Sequence, residues 1–502
     1  MAFSTFVTKV YFYIAAAWVE CTDVLLSPPP TWEYGTMGQG PADLVASTGF
    51  ATVYLDNGKS NSAGKVGYYS PDHDDAKVGF VEGIPFKITV SKDGAAAVVK
   101  FIGTIAAIRP SPGAFEDPRV EVEAHDWMGF ISTQEMGIFA VDDNIRADEA
   151  LTTVLVNFPL QPEATDLDIG LETFLLMFNT DSPKSSMASF FQKLCRNEIG
   201  RIYTEGDGTL VFENRNARSL ITASAFTLDG TMTNIDIAYE RADIFNYIET
   251  KITIAEIDAA ATTMLWDLHE QGTPSIKPGE TLTLICEYSD PDTGQRISAI
   301  DVVNPITGFE FGSVGDYVSD NMHADLGQDN DAGGNSMIVR LTNNHPTKTG
   351  YLNDLSIYGR GIYVYDPLTL LDVDQASIDI RGERRFVLRL EQIVDPRKAQ
   401  DYASYLRGGY SNPHFRAGRI RFLANQTAAL AAGALAMEPS TRFIAIESAT
   451  GVSYSFYANR IKYTQDSQQL WVEVSAQPAG LHGTFIWDAS HWDNVEDARW
   501  SA

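Results

Sequence analysis

Cysteine, positive charge and long apolar runs are all scarce in this chain, and each scarcity excludes a class of protein. Three cysteines occur in 502 residues, Cys21, Cys195 and Cys286, so there is neither a paired disulfide framework nor a CxxC metal clip. Reducing assembly conditions suit such a chain. Lys and Arg number 37 against 66 Asp and Glu, for a formal net charge of -29. That balance repels phosphate backbones, so no sequence-specific nucleic acid binding is expected. The strongest membrane candidate, residues 10–19 (VYFYIAAAWV), is about half the roughly 20 residues a spanning helix needs. No membrane span is expected. With Lys9 alone upstream and Glu20, Cys21 and Asp23 just after it, the stretch also makes a poor signal peptide. It reads as a buried strand.

Catalytic signatures are missing too. No G-x-S-x-G elbow, no G-x-x-x-x-G-K-[ST] phosphate loop and no H-E-x-x-H zinc helix occurs, which removes three common active-site geometries. Carboxylate pairs for glycoside hydrolysis could assemble in space, but their separation is not written in a sequence. No catalytic residue, cofactor or metal is expected.

What is present is β-type patterning at a length that fits roughly three or four domains. The apolar fraction of 44%, with 39 Gly and 22 Pro, supplies cores and many turns. Up to about residue 135, short apolar runs such as 49–55 (GFATVYL), 84–90, 96–106 and 119–125 alternate with Gly, Pro, Asn and Asp clusters. Near residue 187 the period changes: Met187, Phe190, Phe191, Leu194 and Cys195 recur as one helical stripe, with Ser185 or Ser186 to cap it and Gly200 as its left-handed stop. A hairpin follows, residues 201–203 and 209–213 about Gly206-Asp207-Gly208. Strands are expected again at 248–254, 281–288, 336–342 and 355–364, then a strand-like stretch after Ser377. Asp395 and Pro396 open a helix with Ala399, Tyr402, Ala403 and Leu406 on one face, stopped at Gly408-Gly409. Further strands fall at 419–423, 442–448, 452–463 and 470–476, while 427–437 reads equally as a short helix or a turn.

The expected fold class is therefore mainly β and multidomain, with β-barrel and β-sandwich domains and a small α+β helix-hairpin module. The boundaries read as a barrel-like domain at 1–138, the α+β module at 139–235, a sandwich at 236–370, a second barrel-like domain at 371–480 and an aromatic-acidic tail at 481–502.

Several clusters invite a chemical reading beside an ordinary one. Asp329, Asp331, Gly333, Gly334 and Asn335 resemble a calcium loop, but position twelve is Arg340 where a bidentate Glu belongs, so a polar turn is the better reading. Asp72-His73-Asp74-Asp75 reads as a solvated loop, since adjacent residues rarely converge on one metal. Cys195 sits on an apolar stripe, where a thiol packs as a small hydrophobe. Ten acidic residues against Arg296 alone between Cys286 and Asn335 suggest an exposed acidic rim. Arg109, Arg119, Arg381, Arg384 and Arg385 could pair with carboxylates within a domain or across subunits. Phe485, Trp487, Trp492 and Trp500 crowd the C-terminal tail as a possible partner interface, because large aromatics are enriched in interface hot spots. Folding back on its own domain is the alternative.

The order of three blocks carries a family resemblance. The first runs through "CTDV" at 21–24, "STGFATVYLDN" at 47–57, "FIGTI" at 101–105 and "VEVEAHDW" at 120–127. The second is "FQKLCRNEIGRIYTEGDGTLVFENR" at 191–215, and the third "SIDIRGERRF" at 377–386 with "NPHFRAGRIRF" at 412–422. Together they resemble the tail-tip (baseplate) hub and minor tail proteins of long-tailed bacteriophages, including siphoviruses, and are similar to the hubs of contractile phages and type VI secretion spikes. The resemblance implies a structural virion protein at the tail tip, assembled in the host cytoplasm. It implies a homotrimeric ring that continues the tail tube, with two barrel-like domains per subunit, and neighbours that include the distal tail protein, the tape measure protein and other tip proteins. DNA would pass through the ring, over a lumen that the acidic composition could line. The alternative is a tail-borne carbohydrate or receptor binder that reads a host-surface glycan with residues 236–370, using Trp266, Tyr288, Tyr317, Tyr351 and Tyr358. A tail-associated cell-wall hydrolase is the third reading.

Overall fold

The alternation of the first 135 residues is realised as antiparallel strands that bury every second side chain. In Ser47–Asp56 the buried set is Ala51, Val53 and Leu55, and in its neighbour Arg119–His125 it is Val120, Val122 and Ala124. The period of two leaves Phe50, Thr52, Tyr54, Glu121, Glu123 and His125 on the opposite face. Val98–Pro110 pairs first with Pro85–Lys92 and then with Arg119–His125. The computed structural model describes residues 4–111, 118–137, 139–178, 185–238, 243–268, 272–303, 309–313, 320–412 and 416–479, and within them the fold is mainly β, distributed over several sheets.

The stretch 10–19 is not one buried strand. Phe6–Ile14 and Ala17–Cys21 form a hairpin, turning at Ala15 and Ala16 with φ of 51° and 62°. Nothing in the residue types marks that turn, since Gly and Asn, which tolerate left-handed backbone, are absent. The hairpin is fastened across its strands by Lys9 and Glu20 at 3.0 Å and by Tyr13 against Trp18, ring centroids 5.3 Å apart.

The C-terminal strands Arg416–Leu423, Arg442–Glu447, Val452–Asp466 and Gln469–Pro478 do not form a closed unit apart from the first ones. Val452–Asp466 pairs in antiparallel register with Thr31–Gly35, placing Tyr463 opposite Trp32 with rings stacked at 5.3 Å. One sheet therefore runs through both ends of the chain. At the seam Gly35 has φ of +111°, and a Cβ there would lie 2.1 Å from the Asn459 carbonyl oxygen. Only glycine permits that approach. A single apolar core underlies both halves, from Phe6 and Val53 to Phe422 and Val474. Met232–Ala238 joins the same sheet beside Arg416–Leu423.

Between these halves the helix Met187–Glu198 buries the expected stripe and is capped by Ser186, whose side chain accepts from the Ser189 N–H. Its left-handed stop is Ile199 at φ 55°, not Gly200. Gly200 serves a different need: a Cβ there would stand 2.6 Å from the Glu213 carbonyl, on the adjacent hairpin strand Thr209–Glu213. The helix Ala147–Val156 packs into the same core. Further on, Gly350–Val364 is flanked by five short strands, and this sheet faces the three-stranded Thr281–Glu287, Ser336–Asn343 and Leu326–Ala332 sheet across a core of Leu352, Leu355, Ile357, Met337, Val339 and Leu341. That is a sandwich.

Two later expectations need correction. A helix, Gln375–Arg381, stands where strand was expected after Ser377, because Asp374 caps it by accepting from the Ser377 N–H; the strand is Arg385–Leu390. The helix opened by Asp395 and Pro396 passes through Gly408-Gly409 and ends at Tyr410. Tyr410 is buried against Phe245, and its carbonyl accepts from the Phe245 N–H, so packing outweighs the intrinsic cost of two glycines. Residues 427–437, open between helix and turn, hold the helix Ala428–Ala436 capped by Thr427.

Candidate functional site

The continuous sheet has a run of eight strands in the order Met232–Ala238, Arg416–Leu423, Gln469–Pro478, Val452–Asp466, Thr31–Gly35, Ser47–Asp56, Arg119–His125 and Val98–Pro110. One face of this run covers the apolar core. The other is built by alternation mainly from charged and hydroxyl side chains, with the aromatic rings of Phe50, Tyr54 and Trp471 among them. Registers align Arg421 with Glu473, Glu473 with Lys462, and Lys462 with Glu33, so sign alternates across four neighbouring strands. Beside that row, Thr464, Thr31 and Thr52 align with Glu123.

Each arginine described on this face has a partner. Arg109 donates to Glu121 at 2.7 Å and to Glu123 at 2.6 Å, Arg419 to Glu473 at 2.5 Å, and Arg460 reaches Glu33 at 3.0 Å and donates to Ser47 Oγ at 2.7 Å. Arg119 lies over the Tyr54 ring at 5.5 Å and Arg421 over the Trp471 ring at 4.6 Å. The Tyr54 hydroxyl donates to Glu121 at 2.9 Å. Hydrogen bonding from His125 and Arg109 holds the Glu123 carboxyl below its ordinary range.

The run is open along Met232–Ala238, and at its other end over residues 106–110 alone, because up to Thr104 the sheet continues through Pro85–Lys92, Phe6–Ile14 and Ala17–Cys21. Among the described residues, Met232–Ala238 is hydrogen-bonded only to Arg416–Leu423, and residues 106–110 only to Arg119–His125, since Pro85–Lys92 stops at Thr104. Free strand edges of this kind present unpaired backbone donors and acceptors to another chain.

Buried polar contacts clamp the helix-hairpin module to both halves of the sheet. Lys100 is fully buried and donates to the Met437 carbonyl at 2.8 Å and to Glu438 at 2.5 Å, while Glu438 accepts from the Gly206 N–H at 2.9 Å. Asp126 caps the helix Trp127–Ile131 and accepts from the Gly49 N–H and the Thr204 hydroxyl, each at 2.8 Å; burial raises its pKa. Arg218 donates to Ser440 and Asn459 at 2.9 Å, and burial lowers its pKa to about 10. Sequence reasoning singled out none of these, because each joins residues far apart in the chain. Their only local signal is a charged residue inside an apolar strand, as with Lys100 in VVKFIGTI.

The residues singled out by sequence fall in separate places. Asp329 and Asp331 are exposed and both pair with Arg340, at 3.1 and 2.7 Å, across a hairpin. Asp75 pairs with Lys65 at 2.8 Å, and its N–H donates to the His73 ring. Cys195 is buried among apolar side chains, and burial pushes its thiol pKa up; the Cys286 thiol is pushed up to about 12 in the same way. Arg109 and Arg385 pair within the chain, Arg385 with Glu249. Of the proposed sugar-stacking set, Tyr288 is fully buried and Trp266 packs on the sandwich core; Tyr351 and Tyr358 reach solvent, and Tyr317 lies outside the described residues. Glu287, Asp292, Asp301, Asp329 and Asp331 are exposed, as an acidic rim requires. Phe485, Trp487, Trp492 and Trp500 lie outside the described residues. Among the described residues no cluster of three or more His, Cys, Asp or Glu could hold a metal ion, and no helix is long and apolar enough to cross a membrane.

No family model and no curated protein matches the sequence. Solved structures do match the fold. The tail protein from Neisseria meningitidis MC58 aligns over 95% of this chain and 98% of its own, with a TM-score of 0.51 at 11% identity. The 43 kDa tail protein of prophage MuSo2 from Shewanella oneidensis aligns over 94% and 99%, with a TM-score of 0.49 at 9% identity. Prophage tail protein gp18 from Listeria monocytogenes EGD-e aligns over 94% and 95%, with a TM-score of 0.43 at 7% identity. At such identities what is shared with the Neisseria protein is the fold.

Proposed function

We propose that this chain is a structural protein of a phage tail tip, a hub whose copies form a ring that continues the tail tube and lets DNA pass on ejection. The carrying observation is the eight-strand run, whose edge is free along Met232–Ala238 at one end and over residues 106–110 at the other. Two different edges of one sheet favour head-to-tail pairing between copies, and a head-to-tail contact closes into a ring when its rotation permits. Three copies are proposed, each giving residues 1–138 and 371–480 as ring-forming units, with Met232–Ala238 as an edge strand. The full-length likeness of fold to a tail protein supports the same reading. The role is structural rather than catalytic. The tail 481–502, through Phe485, Trp487, Trp492 and Trp500, is proposed to dock on a neighbour such as the distal tail protein or the tape measure protein, after assembly in the host cytoplasm. Imaging of purified tails carrying a tag on this chain tests the proposal. An axial ring of three copies at the tip is expected; tags on peripheral fibres would overturn it.

A further inference from the structure

We infer that the charged face of the eight-strand run is a sliding surface for double-stranded DNA, made non-adhesive by internal compensation of its cations rather than by net negative charge. The inference rests on the ring reading, because only in a ring does this face line a channel.

The composition alone leads to a different expectation, an acidic wall. Over the whole chain 66 acidic residues face 37 basic ones, yet on this face Arg109, Arg119, Arg419, Arg421, Arg460 and Lys462 stand among a comparable number of carboxylates. The acid excess is carried elsewhere, for instance on the exposed Glu287, Asp292, Asp329 and Asp331 of the sandwich.

Such a density of arginine would ordinarily grip DNA, since a cation that neutralises a phosphate releases a condensed counterion. A guanidinium already neutralised by carboxylates has little to offer. Arg109 is half-exposed and within reach of a passing phosphate, but its charge is shared by two carboxylates, Glu121 and Glu123, which both accept from Nη1. In the row Arg421, Glu473, Lys462 and Glu33 the sign reverses at each strand, about 4.8 Å apart. That spacing is shorter than the screening length of roughly 8 Å at physiological salt, so a phosphate over the row meets attraction and repulsion together. In the adjacent row the neutral hydroxyls of Thr464, Thr31 and Thr52 stand between Trp471 and Glu123. The result is a wall with no strong preferred site along which a polyanion would stall.

The test unmasks the arginines in the full-length protein. Glu33, Glu121, Glu123 and Glu473 are changed together to Gln, which is nearly isosteric and leaves the chain strongly acidic. Binding to a duplex of about 30 base pairs is followed by fluorescence anisotropy, and affinity is expected to rise roughly tenfold at about 50 mM salt, with a salt dependence that steepens. The single variant Glu473→Gln, which frees Arg419 with least disturbance, should shift the same way by a smaller factor. A control that neutralises Glu287, Asp292, Asp329 and Asp331 should bind no DNA. Equal gain in that control, no gain in either face variant, or tight binding by the unaltered protein would overturn the inference. Imaging separates the two levels: an axial ring with no gain in affinity removes this inference alone, whereas an off-axis chain removes the ring and the channel with it.

Discussion

Lys100 and Glu438 stand 338 residues apart in the chain and 2.5 Å apart in the fold. The lysine belongs to Val98–Pro110 and the glutamate follows the helix Ala428–Ala436, so one buried ion pair ties the first strands to the last. Breaking a buried pair from one side leaves an uncompensated charge, at a cost of about 3–5 kcal/mol. Lys100→Met is therefore expected to destabilise the protein by about 3 kcal/mol in urea unfolding. Adding Glu438→Gln should return at least about 1 kcal/mol of it, because the stranded carboxylate is then neutral. Strictly additive losses would show that the two residues do not act as a pair.

Glu205, beside this pair, supplies a pH test. Burial first, then the nearby carboxylates of Glu438 and Asp207, push its pKa from 4.5 up to about 7, against the opposing Lys100. Between those values the folded protein keeps a proton that the unfolded chain has released. The contribution to stability is thus complete below about 4.5 and is lost as the pH rises through about 7. Glu205→Gln cannot titrate and should flatten that slope: the fall in Tm from pH 5 to pH 8 should be smaller in the variant than in the wild type. Parallel Tm profiles would assign the slope to other groups.

Local patterns made much of this fold legible. Arg119–His125 was readable from its alternation alone, and Ser186, Asp395 and the stripe from Met187 to Cys195 announced two helices through caps and periodicity. The failures have physical causes. Ala15 and Ala16 adopt left-handed backbone without the residues that favour it, and Gly200 is required by a neighbouring carbonyl rather than by the helix it follows. Least legible was the candidate site. Its ladder of Arg421, Glu473, Lys462 and Glu33 exists only once Val452–Asp466 pairs with Thr31–Gly35, a register set by the Tyr463 and Trp32 core contact and written in neither strand. Composition pointed to an acidic surface, and on this face the geometry sets carboxylates against arginines.

The proposed ring makes a prediction that needs no tail. All three native cysteines are buried, so introduced thiols can be followed with little background. On the charged face Ala107 lies at one free edge, and Asn234 and Asp236 lie at the other. In a head-to-tail ring these edges from successive copies run side by side, and some pairing of positions brings Cα atoms within the roughly 4.4–6.8 Å that a disulfide spans. Ala107→Cys combined with Asn234→Cys or Asp236→Cys is expected to give covalent dimers and trimers on mild oxidation, resolved by non-reducing electrophoresis. Each single variant should stay monomeric, and a mixture of Ala107→Cys with Asn234→Cys or with Asp236→Cys should stop at dimers. A twofold association would behave in the opposite way, joining like edges so that a single-cysteine variant cross-links to itself. Dimers from Ala107→Cys alone would replace the ring with a symmetric pair.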